Sequence, residues 1–454
     1  MAPVVLDLLI LILCAVPIFI ALRPKLSEDT PKGCRLLGLD PKRSNIADEY
    51  DPKYTRPAPD QENVNSIPSK YRIKALFAYP IKSCAGVELS VADVVPTGLT
   101  YDRQFCFAEY VTPKNVPADA GEEEKAPRWE FKTMRDGRFS RLALIRPEVW
   151  VPDPAASDYH PDMDEVKSGG VLVVRYPRTS SSQLWDRIIK LAIALRLYPP
   201  ECSFRVPFVP PAEGMDNYPL LPVRLWKDFP MGFNYGHHLP DSLRSFLSPD
   251  STSPPLTLFR VSPAHSRSIF RNAPRKELLG FQPQTGFADA YPLHLLNIAS
   301  VRDIAARCAT AIPRLSVRRF RANIIIEGPP AYAEDSWKRI LIIGNIPKDM
   351  ANGQERETDQ EKKKGVEIHA ACRTIRCRLP NVDPETGVRH PSEPDKTLKS
   401  FRCIDAGDRT NACLGMQLVP SEERFTICVN DQMSVLEEGE HFYIKMLKPT
   451  DPPV

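Results

Sequence analysis

Two rhythms of hydrophobic and polar positions run along the chain. A period of two comes first: Ile73, Ala75 and Phe77 alternate with Lys74 and Leu76, which predicts a strand. Strand-like runs separated by turns predict further strands over Gln104–Tyr110, Leu142–Ile145, Gly170–Tyr176, Asn323–Glu327, Ile340–Ile343, Val366–Ala371, Arg424–Val429 and His441–Met446. Helical spacing occurs twice. Leu184, Ile188, Ala192 and Leu195 mark a helix within Leu184–Leu197, and Asn297 is placed to cap one that buries Ile298, Val301, Ile304, Ala305 and Cys308. Short strands separated by turns predict a mainly β fold with some α (α+β). The first block, 70–255, reads as antiparallel β with a few helices, and the second, 256–450, as a β-barrel with helices on its rim.

The remaining stretches lack a sustained period. Residues 24–69 are rich in Pro, Asp, Lys and Asn and read as a linker. Residues 112–127 and 346–365 are charged insertions, 151–169 are loop-like, and 198–223 carry many prolines and are expected to wrap the surface. Residues 4–22 are an apolar run just long enough to span a bilayer, weakened by Asp7 and Pro17. Arg23 and Lys25 follow it and no Lys or Arg precedes it, so residues 1–23 are expected to form an uncleaved transmembrane anchor with the rest of the chain cytosolic.

Composition narrows the class. The 454 residues include 47 prolines, about twice the usual share, which disfavours a helical bundle. A net charge of +3 provides no general electrostatic case for nucleic acid. The 11 cysteines, an odd number spread over a long chain, fit reduced thiols better than a disulfide scaffold.

Four short polar stretches beside strands could carry chemistry: Lys82-Ser83, Asp102-Arg103, Arg319-Phe320-Arg321-Ala322-Asn323, and the segment from Cys372 to Cys377 with its arginines. Singly each has a plain reading, since Lys82-Ser83 can close a turn and Arg103 or Arg321 can pair with surface carboxylates. Together they supply cations, hydroxyl and amide donors, and a thiol, a set suited to a phosphate-bearing cofactor at a soft-ligand metal. Zinc is disfavoured by the loose spacing of Cys372 and Cys377.

In combination these stretches resemble a known family. Tyr79-Pro80-Ile81-Lys82-Ser83-Cys84-Ala85-Gly86, then Gly98-Leu99 and Asp102-Arg103, resemble the N-terminal β-barrel domain that accompanies MOSC domains. Arg319–Ile324, Glu334-Asp335-Ser336-Trp337, Arg376-Cys377, Val382–Gly387 and Leu398–Arg402 resemble the MOSC domain. Over roughly residues 70–447 the chain is most similar to the mitochondrial amidoxime-reducing component family. That resemblance implies a molybdenum cofactor (molybdopterin) between the two domains, with Cys377 as metal ligand and catalytic residue. It implies Lys82, Ser83, Arg103, Asp289, Arg321, Asn323 and Arg376 as cofactor-binding positions. The activity implied is reduction of N-hydroxylated compounds, amidoximes and hydroxylamines, with electrons from NADH through cytochrome b5 reductase and cytochrome b5. The membrane implied is the mitochondrial outer membrane, with the endoplasmic reticulum as alternative. A sulfur-carrying MOSC module without redox turnover is the second reading, against which stands the lack of a pyridoxal-phosphate desulfurase motif upstream. The chain departs from the family pattern at Ala322, where proline is usual, at Ala290 and Tyr291, and in the wider separation of Cys372 from Cys377.

Overall fold

The computed structural model describes residues 30–55, 71–113, 125–180, 182–247, 253–344 and 365–445. Alternation builds its larger barrel. The strands Tyr71–Ala78, Leu293–Asn297, Ile324–Glu327, Trp337–Ile343, Val366–Ile375, Cys413–Pro420 and Gln432–Glu438 join edge to edge. Pairing of Ile324–Glu327 with Tyr71–Ala78 closes the ring. Leu293, Leu295, Ile324, Ile326, Met416 and Leu418 share the barrel core. Leu296 and Ile325, one step out of phase, lie in a second core with the helix Ile298–Arg307. Asn297 ends its strand and caps that helix, its side-chain oxygen accepting from the Ala299 N–H at 3.0 Å, as expected. Ile298, Val301 and Ile304 are buried, each worth about 1.5–3 kcal/mol by area.

The smaller barrel closes through Phe105–Val111, Arg128–Phe131, Leu220–Arg224, Met231–Asn234 and Leu256–Val261. Cys106, Ala108, Phe259 and Val261 share one core. Phe105, Phe107, Leu256 and Leu258, the alternate positions, belong to another core with residues of a four-stranded sheet. That sheet consists of Cys34–Leu37, Arg146–Pro152, Val171–Pro177 and Glu201–Pro207.

Several expectations change. Residues 34–55, read as linker, are integrated: Cys34–Leu37 pairs with Arg146–Pro152, and Ile46 and Tyr54 join the core around Ile298–Arg307. Residues 142–144 end a 3-10 helix, Gly137–Leu144, and the strand starts only at Arg146. The proline-rich 198–223 contains most of two strands; Pro207 ends the first, and Pro222 is the last residue of the second to pair with Met231–Asn234 and lies outside its pairing with Arg128–Phe131. Residues 441–445 form no strand; Gln432–Glu438 takes a place in the barrel instead, between Trp337–Ile343 and Tyr71–Ala78. Tyr71–Ala78 hydrogen-bonds within the larger barrel and Leu256–Val261 within the smaller, so the two blocks exchange strands across position 256. The expected anchor at 1–23 and the insertion segments 114–124 and 346–364 lie outside the described residues. Among the described residues no helix is long and apolar enough to cross a membrane.

Candidate functional site

A cleft opens where the two barrels meet, with about 1090 Å³ of empty space counted to its open mouth. Lys82, Ser83, Arg103, Asp289, Arg321, Asn323, Arg376 and Cys377 all line it. Period-two geometry explains part of this convergence. With Leu293 and Leu295 in the barrel core, His294 faces the cleft; with Met416 and Leu418 in the core, so does Gln417. Gly415 lets the strands approach here, since a Cβ on it would stand 2.8 Å from His294 Nε2. Gly98, at φ +115°, serves the same end beside Pro292, where a Cβ would strike the Pro292 carbonyl.

Backbone strain gathers at the cleft. Eight described non-glycine residues have positive φ, and four of them, Ser83, Arg103, Trp226 and Arg321, line this one cavity. Such conformations cost on the order of 1–3 kcal/mol each and persist where surrounding contacts over-determine them. Those contacts are visible. Arg103 Nη1 donates to both oxygens of Asp102 at 2.8 and 2.7 Å and to Asn323 Oδ1 at 3.1 Å. Its Nη2 donates to the Arg321 carbonyl at 3.0 Å. The Arg103 and Arg321 guanidiniums lie 4.6 and 4.3 Å from the Tyr79 ring centroid. Asn323 Nδ2 donates to the Phe77 carbonyl at 3.1 Å, which pins this corner to the barrel.

The cations here are buried or half-buried and only partly neutralised. Lys82 Nζ donates to Asp289 Oδ1 at 2.6 Å and to the Phe287 carbonyl at 2.8 Å. Burial pushes Lys82 below its usual range, with Asp289 opposing. Enclosure by the walls would raise Asp289, but the Lys82 ammonium outweighs it and holds the carboxyl well below the usual carboxylate range. Burial lowers Arg321 to about 10, and its Nη2 is buried without a hydrogen-bond partner. Thr374 Oγ1, also on the cleft wall, is likewise buried and unpartnered. Burial, reinforced by Arg376 and Arg103, holds His294 well below its usual value. It is therefore neutral, and its Nε2 accepts from Arg376 Nη2 at 2.6 Å.

The two cysteines separate cleanly. Cys372 lies within the strand Val366–Ile375, fully buried among Ile269, Tyr291 and Val419, and burial pushes its thiol up to about 12. Cys377, two residues past the strand end, is exposed to the cleft. It is held from both sides. Before it, the Arg376 N–H donates to the Ala412 carbonyl at 2.8 Å, and the side chain donates to the Leu414 and Phe320 carbonyls at 2.9 and 3.2 Å. After it, Arg319 donates to the Pro380 and Asn381 carbonyls, both at 3.3 Å, and to Asp383 Oδ2 at 2.6 Å. The Asp383–Gly387 turn is thus an anchor for the segment that follows Cys377.

Sequence reasoning did not single out His294, Trp226 or Arg135, all on the cleft wall. Trp226 Nε1 donates to Asp289 Oδ1 at 3.1 Å, and the Arg135 guanidinium stacks 4.2 Å from the Trp226 ring. His294 had a usable signal, a polar residue between apolar ones in a strand. The other two reach the cleft through turns whose placement is a long-range property.

The model of the MOSC N-terminal beta barrel domain matches residues 70–149, and that of the MOSC domain matches residues 282–439. The chain is a MOSC-domain protein. Lys82, Ser83 and Arg103 fall in the first match; Asp289, Arg321, Asn323, Arg376 and Cys377 fall in the second, so the cleft draws on both. Mitochondrial amidoxime-reducing component 1 of Mus musculus is 31% identical over 206 residues, 45% of this chain and 50% of that protein. The Homo sapiens protein of that name is 34% identical over 131 residues, 28% of this chain and 32% of its own length. The molybdenum cofactor sulfurase of Pyricularia oryzae is 25% identical over 381 residues, 76% of this chain and 38% of that protein. The matched stretches thus span half or less of each of these relatives.

The MOSC domain also contains a buried acid. Glu334 is fully enclosed, accepting from Ser300 Oγ at 2.7 Å and Asn297 Nδ2 at 3.1 Å, and burial raises it from 4.5 to about 7. An acid raised on folding contributes stability that is complete below its unfolded value and lost as pH rises through the folded one. We expect stability to fall between about pH 4.5 and 7 from this group, by on the order of 3 kcal/mol. Glu334→Gln should flatten that slope in urea denaturation across this range. Parallel wild-type and variant profiles would show Glu334 ionised throughout.

Proposed function

We propose that this MOSC-domain protein binds a molybdenum cofactor in the cleft and reduces N-hydroxylated compounds, amidoximes and hydroxylamines. The observation that carries the reading is the exposed Cys377 set over a strained cationic cradle in which Arg321 Nη2 lacks a partner. The donor set fits a phosphorylated pterin. Lys82, Arg103, Arg321 and Arg376 face two carboxylates, Asp102 and Asp289, an excess of positive charge that an anionic cofactor would balance. Arg321 and Thr374 offer the unpartnered donors, and Cys377 offers the soft ligand that molybdenum favours.

When bound, the cofactor supplies two-electron redox chemistry at the metal. The chain's own residues bind and orient. Arg376 and Arg319 hold the backbone on either side of Cys377, so that its sulfur stays at one place on the cleft wall. Lys82 and Arg103, themselves fixed by Asp289 and Asp102, would hold the anionic cofactor. His294, neutral and accepting from Arg376, adds no further charge to the site. Electrons would arrive from NADH through cytochrome b5 reductase and cytochrome b5 at a membrane, the mitochondrial outer membrane before the endoplasmic reticulum. The names of the amidoxime-reducing relatives support this reading.

A second reading is a sulfur carrier, in which Cys377 holds a persulfide. It is favoured by the long match to the sulfurase of Pyricularia oryzae. One measurement separates the two. Under the first reading the purified chain contains molybdenum and pterin near one per chain and reduces benzamidoxime when the cytochrome b5 system is supplied. Absence of metal, with a transferable persulfide on Cys377, would establish the second.

A further inference from the structure

The helix Gln183–Ala194 joins the strands Val171–Pro177 and Glu201–Pro207, between the two matched domains, and contributes no residue to the cleft. Its apolar stripe faces outward. Leu184, Ile188, Leu191 and Leu195 recur at steps of four, three and four and are 67%, 45%, 61% and 59% exposed. Trp185 and Tyr198, near the two ends, are 60% and 47% exposed. The opposite face, Asp186, Ile189, Ile193 and Leu197, is half-buried and holds the helix to the protein. A contiguous exposed patch of this kind marks an interaction surface.

The rim of the patch selects the partner. Arg187, Lys190 and Arg196 are exposed, whereas the one acid in the segment, Asp186, faces inward and pairs with Lys190 at 2.8 Å. We propose that this helix docks on an anionic lipid bilayer. Leucine and isoleucine side chains would enter the acyl boundary, Trp185 and Tyr198 would sit at headgroup level, and the cations would meet anionic headgroups. A helical protein partner could use the apolar stripe but would have no use for the aromatic ends and cationic rim together. The apolar run at 4–22, expected from the sequence to enter a membrane, would bring a bilayer within reach.

The test uses the full chain reconstituted into phosphatidylcholine vesicles with and without phosphatidylserine. The N-terminal run is present in every arm, so tethering is constant. Hydrogen exchange over residues 183–198 should slow several-fold only with phosphatidylserine. Brominated acyl chains should quench an emission component that Trp185→Phe lacks. Ile188→Glu combined with Leu191→Glu should abolish both signals; these side chains point away from the protein, and molybdenum content should not change. Arg187→Gln should weaken docking roughly fivefold. Equal protection in neutral vesicles, or no Trp185 quenching in either, overturns the proposal. Protection already present in lipid-free detergent solution, together with concentration-dependent sedimentation, assigns the face to a second copy and overturns it as well.

Discussion

Replacing Cys377 with alanine is expected to abolish molybdenum retention and N-reduction while leaving the fold intact. Cys377 is exposed, so its removal opens no cavity. The backbone on either side is held by Arg376 and Arg319, neither of which uses the thiol. Mutating groups that merely orient a metal ligand typically costs 10–100-fold in affinity or activity, so losing the ligand itself should exceed about a hundredfold. Cys372→Ala is the internal control. That side chain is fully buried and points into an apolar cluster, so the expected result is a stability loss of about 1 kcal/mol with metal content unchanged. Metal analysis of the two purified variants, with thermal unfolding of each, decides the matter. Full molybdenum content and full benzamidoxime reduction in Cys377→Ala would sink the assignment, and loss confined to Cys372→Ala would move the ligand.

That contrast also shows what the chain's pattern reveals and what it hides. Local rules were legible. Tyr71–Ala78 and Val366–Ile375 begin in alternation, Ile324–Glu327 is a short apolar run, and Asn297 caps its helix with the side chain expected of it. Which strands pair was not legible, because the partner of Tyr71–Ala78 lies some 250 residues along the chain and no short window encodes it. The same limit applies to the cleft. Its motif residues could be named because each sits at a strand end or turn, but Trp226 and Arg135 arrive from turns of the smaller barrel and come together only through tertiary closure. Which of Cys372 and Cys377 reaches the cleft depends on burial, a quantity that two cysteines five residues apart do not display in sequence. Helical spacing at Leu184, Ile188 and Leu195 was legible, whereas the outward direction of that stripe reverses the usual rule that such a face is buried.

Asp102→Ala is expected to have the largest effect on stability of any single change at the site. Asp102 is buried, its Oδ1 accepts the Tyr79 N–H at 2.8 Å, and both oxygens accept from Arg103 Nη1. Alanine leaves one buried N–H unpaired and the Arg103 charge uncompensated, beside an Arg321 guanidinium over the same Tyr79 ring. Breaking a buried pair from one side costs about 3–5 kcal/mol, because the surviving charge has lost its counterion but not its desolvation. Asp102→Asn retains an acceptor for Tyr79 and loses only the charge, so its cost should be smaller, about 1–3 kcal/mol. The cation cluster adds a second expectation that a purely structural role for Asp102 would not produce. If Arg103 and Arg321 serve an anionic ligand, millimolar inorganic phosphate should restore part of the loss in Asp102→Ala and do less for wild type, since the anion takes over the neutralisation that Asp102 performs. Urea unfolding of the three proteins with and without phosphate measures both effects. A variant within about 0.5 kcal/mol of wild type would mean that water, not Asp102, neutralises Arg103. A large loss that phosphate leaves untouched would mean that the cradle holds itself together but does not receive an anion, and the case for a phosphorylated cofactor in this cleft would then rest on Cys377 alone.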